Sequence, residues 1–273
     1  MKNILFVAGI CLLILASCQK STDVENVDSL KKEKILSVCT HDPEFLLANA
    51  RKRKPTSPTE PTPEPTPEPT PEPTPEPIPT TPTGSGYSCI LIDFDGQSVS
   101  NYLWNGGATI NCAPAELSSS QMSEVLNEVR ALYASYNVYI TYDESVYNAA
   151  NPLKRTRVIV TPTSGWYTSG SGVAYISSFT WGDQTPAFVF SDRLYNIPHY
   201  IAEIAAHEAG HTLGLLHQSE YDANCTRIST YRAGAVMGNS LNYAQGQWIY
   251  GTTQSCTTYQ DDNSMLSNLL GRL

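Results

Sequence analysis

A proline-rich repeat separates the part of this chain that can fold from the part that cannot. The stretch PTEPTPEPTPEPTPEPTPEPIPTTPT occupies residues 58–83 and carries a glutamate at every fourth position from 60 to 76. Proline fixes φ and lacks a backbone N–H, so such a run is excluded from helices and sheet interiors and favours extended polyproline II. At ~3.1 Å per residue it reaches about 80 Å. We therefore interpret residues 55–86 as a disordered Pro/Thr/Glu-rich stalk.

The first 17 residues predict a signal peptide. Lys2 precedes the uninterrupted apolar run ILFVAGICLLILA, which covers 13 residues at positions 4–16. A membrane-spanning helix needs about 20 apolar residues, whereas a shorter run suits the core of a signal peptide. The run ends in LASC, which resembles a bacterial lipobox and implies cleavage before Cys18 and lipidation of that cysteine. An ordinary signal peptide with an incidental cysteine is the alternative.

Lipidation would hold the chain at the bacterial cell envelope, on the outer membrane or the cell surface, through acyl chains rather than a transmembrane helix. The folded domain would then lie outside the cytoplasm. Residues 18–54 are polar and contain too little apolar material to build a domain of their own. We interpret them as an N-terminal tether or a pro-segment.

The remaining residues, 87–273, are enough for one domain with a substantial core. The chain has a formal net charge of −9 at pH 7. An acidic balance without basic clusters in the domain argues against nucleic acid as a partner. We expect a monomer.

Hydrophobic periodicity predicts the order of elements in this domain. Strands are predicted at 89–95, 137–143, 156–162, 172–179 and 186–192, and helices at 115–136, 198–214 and 261–273. The order suggests an α/β (α+β) fold in which a five-stranded, twisted, mixed sheet packs on two long helices. An irregular C-terminal subdomain that ends in a helix would follow.

Four cysteines fall within the domain, and an exported protein can oxidise them. Four cysteines allow three disulfide connectivities. Proximity along the chain favours Cys89–Cys112 and Cys225–Cys256.

The stretch AAHEAGHTLGLLHQSEYD, residues 205–222, contains three of the chain's five histidines. His207 and His211 are four residues apart, so on a helix both project from one face and can bind one zinc ion. Glu208 is placed to reach a water molecule near the metal. Gly214 is expected to end the helix, because glycine tolerates a left-handed conformation, and the chain can then return His217 as a third ligand. Three nitrogen ligands leave a fourth position open, which is typical of catalytic zinc.

HExxH alone occurs by chance on many helices, but the longer pattern HExxHxxGxxH fixes five positions and is much more specific. The helix is also apolar, and three buried histidines without a ligand would be costly there. A purely structural role is therefore disfavoured. His199 lies too far along the helix to join the set and is interpreted as a surface residue.

The chain resembles the metzincin clan of zinc endopeptidases in the motif from His207 to His217 and in AVMGNS at 235–240. Within the clan it is most similar to bacterial reprolysin- or matrixin-like enzymes. The resemblance implies that Met237 forms the Met-turn beneath the metal and that an edge strand pairs with an extended peptide substrate, a form of strand addition. That strand would contain Gly172, Val173, Ala174, Tyr175 and Ile176. Gln218, which follows the third histidine, does not indicate a subfamily.

The implied reaction is hydrolysis of peptide bonds by a water molecule that zinc activates, with Glu208 as general base. Two other functions stay open. One is a tethered protein that binds peptides without cleaving them, although such a binder has no need of Glu208. The other is a zinc hydrolase that acts on a non-peptide bond.

Two weaker candidates remain. Cys39 is left without a disulfide partner, and its thiolate could occupy the fourth zinc position as in the cysteine switch of matrixins. The surrounding SVCTHDP does not match the matrixin motif, so the alternative is a linker cysteine without a special role. Asp93 and Asp95 in DFDG have the ligand type for calcium, whereas a strand end followed by a turn explains them equally.

Overall fold

The computed structural model of the chain describes the backbone of Leu36–Cys39 and every residue from 86 to 273. The predicted signal peptide, the lipidation site Cys18, the stalk and the rest of the tether lie outside the described residues.

A mixed sheet forms the centre of the domain. Its strands, in chain order, are β1 (Leu36–Cys39), β2 (Cys89–Asp93), β5 (Tyr139–Thr141), β6 (Arg155–Thr161), β7 (Gly172–Tyr175) and β8 (Ala187–Phe190). The spatial order is β1-β7-β8-β6-β2-β5. The pairs β2–β5, β2–β6 and β6–β8 are parallel, and β7 runs antiparallel to β8. The domain itself therefore contributes the five strands that were predicted, and β1 adds a sixth from the N-terminal segment.

Four α-helices are present among the described residues: α1 (Ser119–Leu132), α2 (Glu144–Ala149), α3 (Pro198–Thr212) and α4 (Asp262–Leu270). Helix α1 begins at the capping box of Ser118 and Gln121, in which each side chain binds the other residue's backbone N–H. Helix α3 begins with Pro198, whose missing N–H costs nothing in a first turn. The predicted pair of long helices is therefore observed as α1 and α3, which pack against each other.

The main hydrophobic core lies between the sheet and these two helices. Val125, Leu126 and Val129 of α1 and Ile201 of α3 are buried in it beside Ile90 of β2. A second, aromatic cluster that includes Trp104 and Phe188 covers the other face of the sheet. Because α3 is sandwiched in the core, every residue from Tyr200 to Thr212 is buried, and polar side chains on it must have a local partner.

Several elements differ from the prediction. The short helix α2 and the small hairpins were not expected, since runs of two to six residues carry no clear periodicity. The hairpin strands are β3 (Gln97–Val99), β4 (Ile110–Cys112), β9 (Glu220–Tyr221), β10 (Arg227–Ser229), β11 (Tyr250–Thr252) and β12 (Tyr259–Asp261). Four short 3₁₀ turns lie at Asn105–Gly107, Pro152–Lys154, Ser178–Thr180 and Ser191–Leu194.

The predicted edge strand is shorter than expected. It ends at Tyr175, and Ile176 lies in a turn rather than in the strand. The turn continues into Ser177, whose φ of 64° takes the chain out of the extended conformation. Its N–H donates to the carbonyl of His211 at 2.9 Å, which ties the end of β7 to helix α3.

Of the two predicted disulfides, one is confirmed and one is wrong. Cys225 and Cys256 are bonded. Cys89 and Cys112 are free and buried, because they belong to separate clusters: Cys89 packs with Tyr147, and Cys112 packs with the aromatic cluster around Trp104. Burial raises the pKa of Cys89 to about 12 and that of Cys112 to about 11, so both thiols stay protonated at neutral pH.

Within 86–273 and Leu36–Cys39, no helix has the length and apolar character that crossing a membrane requires.

Candidate metal centre

Helix α3 presents His207, Glu208 and His211 from its last two turns, where all three side chains are buried. The helix ends as the sequence predicts. Gly214 has a φ of 101° and donates its N–H to the carbonyl of His211 at 2.9 Å, while Leu215 donates to the carbonyl of Gly210 at 3.0 Å. These two bonds form a Schellman motif, which reverses the chain and returns His217 towards the helix.

The three histidines converge through their Nε2 atoms. The Nε2 atoms of His207 and His211 are 3.0 Å apart, and those of His211 and His217 are also 3.0 Å apart. All three ligand atoms lie within 4.8 Å of one another, and the group can hold a metal ion. No other group of three or more His, Cys, Asp or Glu side chains in the described part of the chain has this arrangement.

Hydrogen bonds on the far side of two rings set their protonation. Nδ1 of His207 lies 2.6 Å from the carbonyl oxygen of Val236, and Nδ1 of His211 lies 2.7 Å from that of Leu215. A carbonyl can only accept, so each Nδ1 carries the proton and each Nε2 presents a lone pair. Burial also lowers the pKa of His211 to about 4, which keeps its ring neutral.

Lone pairs that face each other at 3.0 Å repel, and a cation between them removes that repulsion. A tetrahedral zinc ion with Zn–N bonds of about 2.0–2.1 Å separates its ligand nitrogens by about 3.3–3.4 Å, close to the spacing of these atoms. The three imidazoles therefore fit a zinc ion, and they leave one tetrahedral position for another ligand.

Glu208 is fully buried and lies against β7. A Cβ atom built on Gly172 would stand 2.5 Å from Oε1 of Glu208 and 2.8 Å from its Cγ. The absence of a side chain at Gly172 therefore makes room for the carboxylate. The contact places the N-terminal end of β7 against the residue that follows His207 on helix α3.

Met237 packs beneath the helix turn that carries the ligands. It is fully buried, and its Sδ atom would stand 2.6 Å from a Cβ built on Gly210. Only glycine allows this approach. The preceding residue, Val236, supplies the carbonyl that His207 binds, so the turn both supports the helix and orients one ligand.

Sequence reasoning missed the network that holds His217. Its neighbour Gln218 is buried, and Nε2 of Gln218 donates to Oδ1 of Asp262 at 3.0 Å. The backbone N–H of Gln218 donates to the carbonyl of Met237 at 2.6 Å. Gln218 thus joins the segment that carries the third histidine to the turn at Met237 and to helix α4. The spacing of these residues in the chain gives no signal of this contact.

Two further residues differ from the sequence interpretation. The ring of Tyr231, which no motif indicated, packs edge-on against His217 with 4.9 Å between centroids. His199 is not a surface residue: it is half-buried and pairs through Nδ1 with Oε2 of Glu128 at 2.7 Å.

Asp93, one of the two aspartates considered as calcium ligands, forms an ion pair. Asp93 binds the guanidinium of Arg157 through Oδ2 at 2.5 Å and accepts the backbone N–H of Asp95 through Oδ1 at 3.1 Å. Arg157 also pairs with Glu144 at 2.6 Å. Asp93 therefore takes part in a buried ion pair, and the calcium hypothesis gains no support.

No protein-family model matches the chain, and no curated protein matches it either.

Proposed function

We propose that the protein is a zinc-dependent endopeptidase of the metzincin type. One observation carries the proposal: the ligand nitrogens of His207, His211 and His217 lie within 4.8 Å of one another, and the buried Glu208 follows the first of these histidines on the same helix. A structural zinc site is normally closed by four protein ligands, whereas a catalytic site keeps one position open. The three histidines supply the open arrangement.

A zinc ion held by these nitrogens supplies positive charge that acidifies water and polarises a carbonyl group. Glu208 takes a proton from the attacking water as general base and delivers it to the leaving amine. Its burial beside Gly172 keeps the carboxylate in one place, and the neighbouring strand supplies backbone groups that can align an extended peptide. The reaction class that combines these parts is peptide hydrolysis.

The structure also favours peptide over other substrates through the position of β7. Within the domain's own five strands β7 is an edge, and it adjoins Glu208. An unpaired strand edge recognises another extended chain by main-chain hydrogen bonds. A non-peptide hydrolase has no use for such an edge, and a peptide-binding protein without activity has no use for Glu208.

We also propose, from the sequence, that the enzyme is anchored to the bacterial envelope through lipidated Cys18 and displayed on the stalk. Replacement of Cys18 by alanine should then release the protein from the membrane fraction. Recovery of the variant in that fraction at the parent's level would oppose the anchor.

The activity is tested with a diverse peptide mixture and mass spectrometry of the products. Zinc-loaded protein, chelator-treated protein and the Glu208→Ala variant are compared at equal concentration. Cleavage by the zinc-loaded protein alone would support the proposal, and the cut sites would define the specificity. Stoichiometric zinc binding without cleavage would favour a binding protein or a non-peptide substrate.

A further inference from the structure

The edge of the domain sheet next to the candidate metal centre is occupied by the chain's own N-terminal segment. Strand β1 pairs antiparallel with β7 over four residues, with Leu36 opposite Tyr175 and Cys39 opposite Gly172. Gly172 is the residue that adjoins Glu208. The last residue of β1 is therefore in register with the part of β7 nearest to the proposed general base.

We infer that Leu36–Cys39 is a built-in pseudo-substrate that blocks the cleft by adding a strand to β7. The edge of a strand can pair with only one partner at a time, because each backbone N–H and C=O that faces outward is used once. A peptide substrate that needs this edge must displace β1 first. Inhibition of peptide cleavage by β1 rests on the proposed function, whereas the docking of β1 on β7 does not.

Strand β1 pairs with residues of β7 that do not pair with β8. Strand β8 pairs with β7 only at Gly172 and Val173, whereas β1 extends the pairing to Ala174 and Tyr175. The C-terminal half of β7 therefore has β1 as its only strand partner among the described residues. Successive N–H groups of a strand point in opposite directions, so one of the amide hydrogens of Ala174 and Tyr175 faces β1, and its exchange should report whether β1 is in place.

The length of the connecting chain allows this docking within one molecule. From Cys39 to residue 86, the first described residue of the domain, there are 46 intervening residues (85 − 39). A tethered segment acts at an effective concentration that is set by the length and stiffness of its linker and not by the bulk protein concentration. A segment with weak intrinsic affinity for the edge can therefore stay bound even when the protein is dilute.

The contact is carried by the backbone, so proline substitution is the specific way to remove it. Successive residues of a strand point their N–H groups in opposite directions. Ser37→Pro combined with Val38→Pro therefore removes the donor that faces β7, whichever of the two it is. Ser29→Pro combined with Leu30→Pro is the matched control, since it makes the same kind of change seven and six residues upstream of the strand.

The first measurement is hydrogen exchange in the full-length chain that carries Glu208→Ala, which prevents self-cleavage. We expect whichever amide of Ala174 and Tyr175 faces β1 to exchange about tenfold faster after substitution at 37 and 38 than in the parent or the control pair, because a tethered contact is lost. Equal exchange in all three proteins would overturn the docking. Cys39→Ser should leave the protection unchanged, because it keeps every backbone group; lost protection in that variant would overturn a contact carried by the backbone.

The second measurement is peptide cleavage by the full-length chain with Glu208 intact. At low substrate concentration we expect about a tenfold rise in rate for the Ser37→Pro, Val38→Pro variant and none for the control pair. Faster exchange without faster cleavage would overturn the block while leaving the docking in place. If exchange becomes faster in the Ser37→Pro, Val38→Pro variant but neither the parent nor any variant cleaves peptide, the proposed function alone is wrong. If exchange is equal in all variants and the parent cleaves peptide normally, the inference alone is wrong.

Discussion

Gly172 and Glu208 touch across the boundary between the sheet and helix α3, with only 2.5 Å between Oε1 of Glu208 and the place where a Cβ of residue 172 would be. This contact links the proposed substrate edge to the proposed general base. Gly172 has an ordinary negative or extended φ, so glycine is required here for space and not for backbone conformation.

Gly172→Ala should therefore reduce turnover by at least about tenfold, since a displacement of the order of 1 Å in a catalytic group can cost two orders of magnitude. The variant should remain folded, because the new methyl group meets a single side chain. Steady-state cleavage and circular dichroism measure the two effects. Gly165→Ala is the matched control, as a Cβ at position 165 has nothing within 4 Å; equal activity of both variants would remove the steric role of Gly172.

Glu208→Gln should retain metal and lose turnover. Glutamine keeps the size of the side chain but cannot accept the proton, and general base catalysis contributes about 10²–10⁴-fold. The three histidines are unchanged, so zinc stoichiometry by elemental analysis should match the parent. Glu124→Gln, on the exposed face of α1, serves as the control. Activity of Glu208→Gln close to that of the control would exclude Glu208 as the base.

Much of the site could be predicted because its parts are close in sequence. The i, i+4 spacing of His207 and His211 and the glycine at 214 are local signals, and the helix, its Schellman end and the convergence of the histidines agree with them. The role of Gly172 and the hydrogen bonds of Val236 and Gln218 could not be predicted. They join residues that are 19 to 44 positions apart, and no local pattern encodes which distant carbonyl or amide will meet them.

The cysteines also show that proximity along the chain does not predict which residues meet in the fold. Proximity along the chain was equally good evidence for both predicted pairs, yet only Cys225 and Cys256 are bonded. Cys89 lies in the central sheet and Cys112 in the separate β3–β4 hairpin, where they pack in different clusters, and separation along the chain does not predict that arrangement. The strand β1 was missed for a related reason: four residues become a strand only when an edge such as that of β7 is available.

Replacement of both bonded cysteines should destabilise the domain. The bridge closes a separation of 31 residues, and the chain-entropy estimate for such a loop is about 3–4 kcal/mol. Urea unfolding of the Cys225→Ser, Cys256→Ser variant should show a fall of that order in the free energy of unfolding. Asn224→Ser with Thr257→Ser changes the two adjacent positions and leaves the bridge intact. A fall as large in this control would mean that the loops, and not the bridge, account for the loss.

Zinc should raise the thermal stability of the protein through the histidine cluster. A ligand that binds only the folded state stabilises it by about 4 kcal/mol at a thousandfold excess over its dissociation constant. Differential scanning calorimetry with and without zinc should show this rise in the parent. The rise should be lost in His211→Ala and kept in His199→Gln, which removes a histidine outside the cluster. A zinc effect that survives His211→Ala would place the binding elsewhere.

The pair of His199 and Glu128 should make stability depend on pH. The hydrogen bond to Glu128 raises the pKa of His199 above its usual 6.5. Because the folded pKa is the higher one, the pair contributes fully below about pH 6.5 and its contribution disappears as the pH rises through the raised value. The pair is partly exposed and joins α1 to α3, so we expect the loss to be at most about 1 kcal/mol.

Urea unfolding at pH 6 and pH 9 measures this loss, and Glu128→Gln should reduce the difference between the two values. All other groups are the same in both proteins, so their effect on the pH dependence cancels in the comparison. Glu124→Gln, one turn earlier on α1 and exposed, should keep the parent's pH dependence. The sign is the decisive feature: a pair that stabilised the fold more at pH 9 than at pH 6 would require His199 to be neutral in the folded protein, contrary to its contact with Glu128 at 2.7 Å.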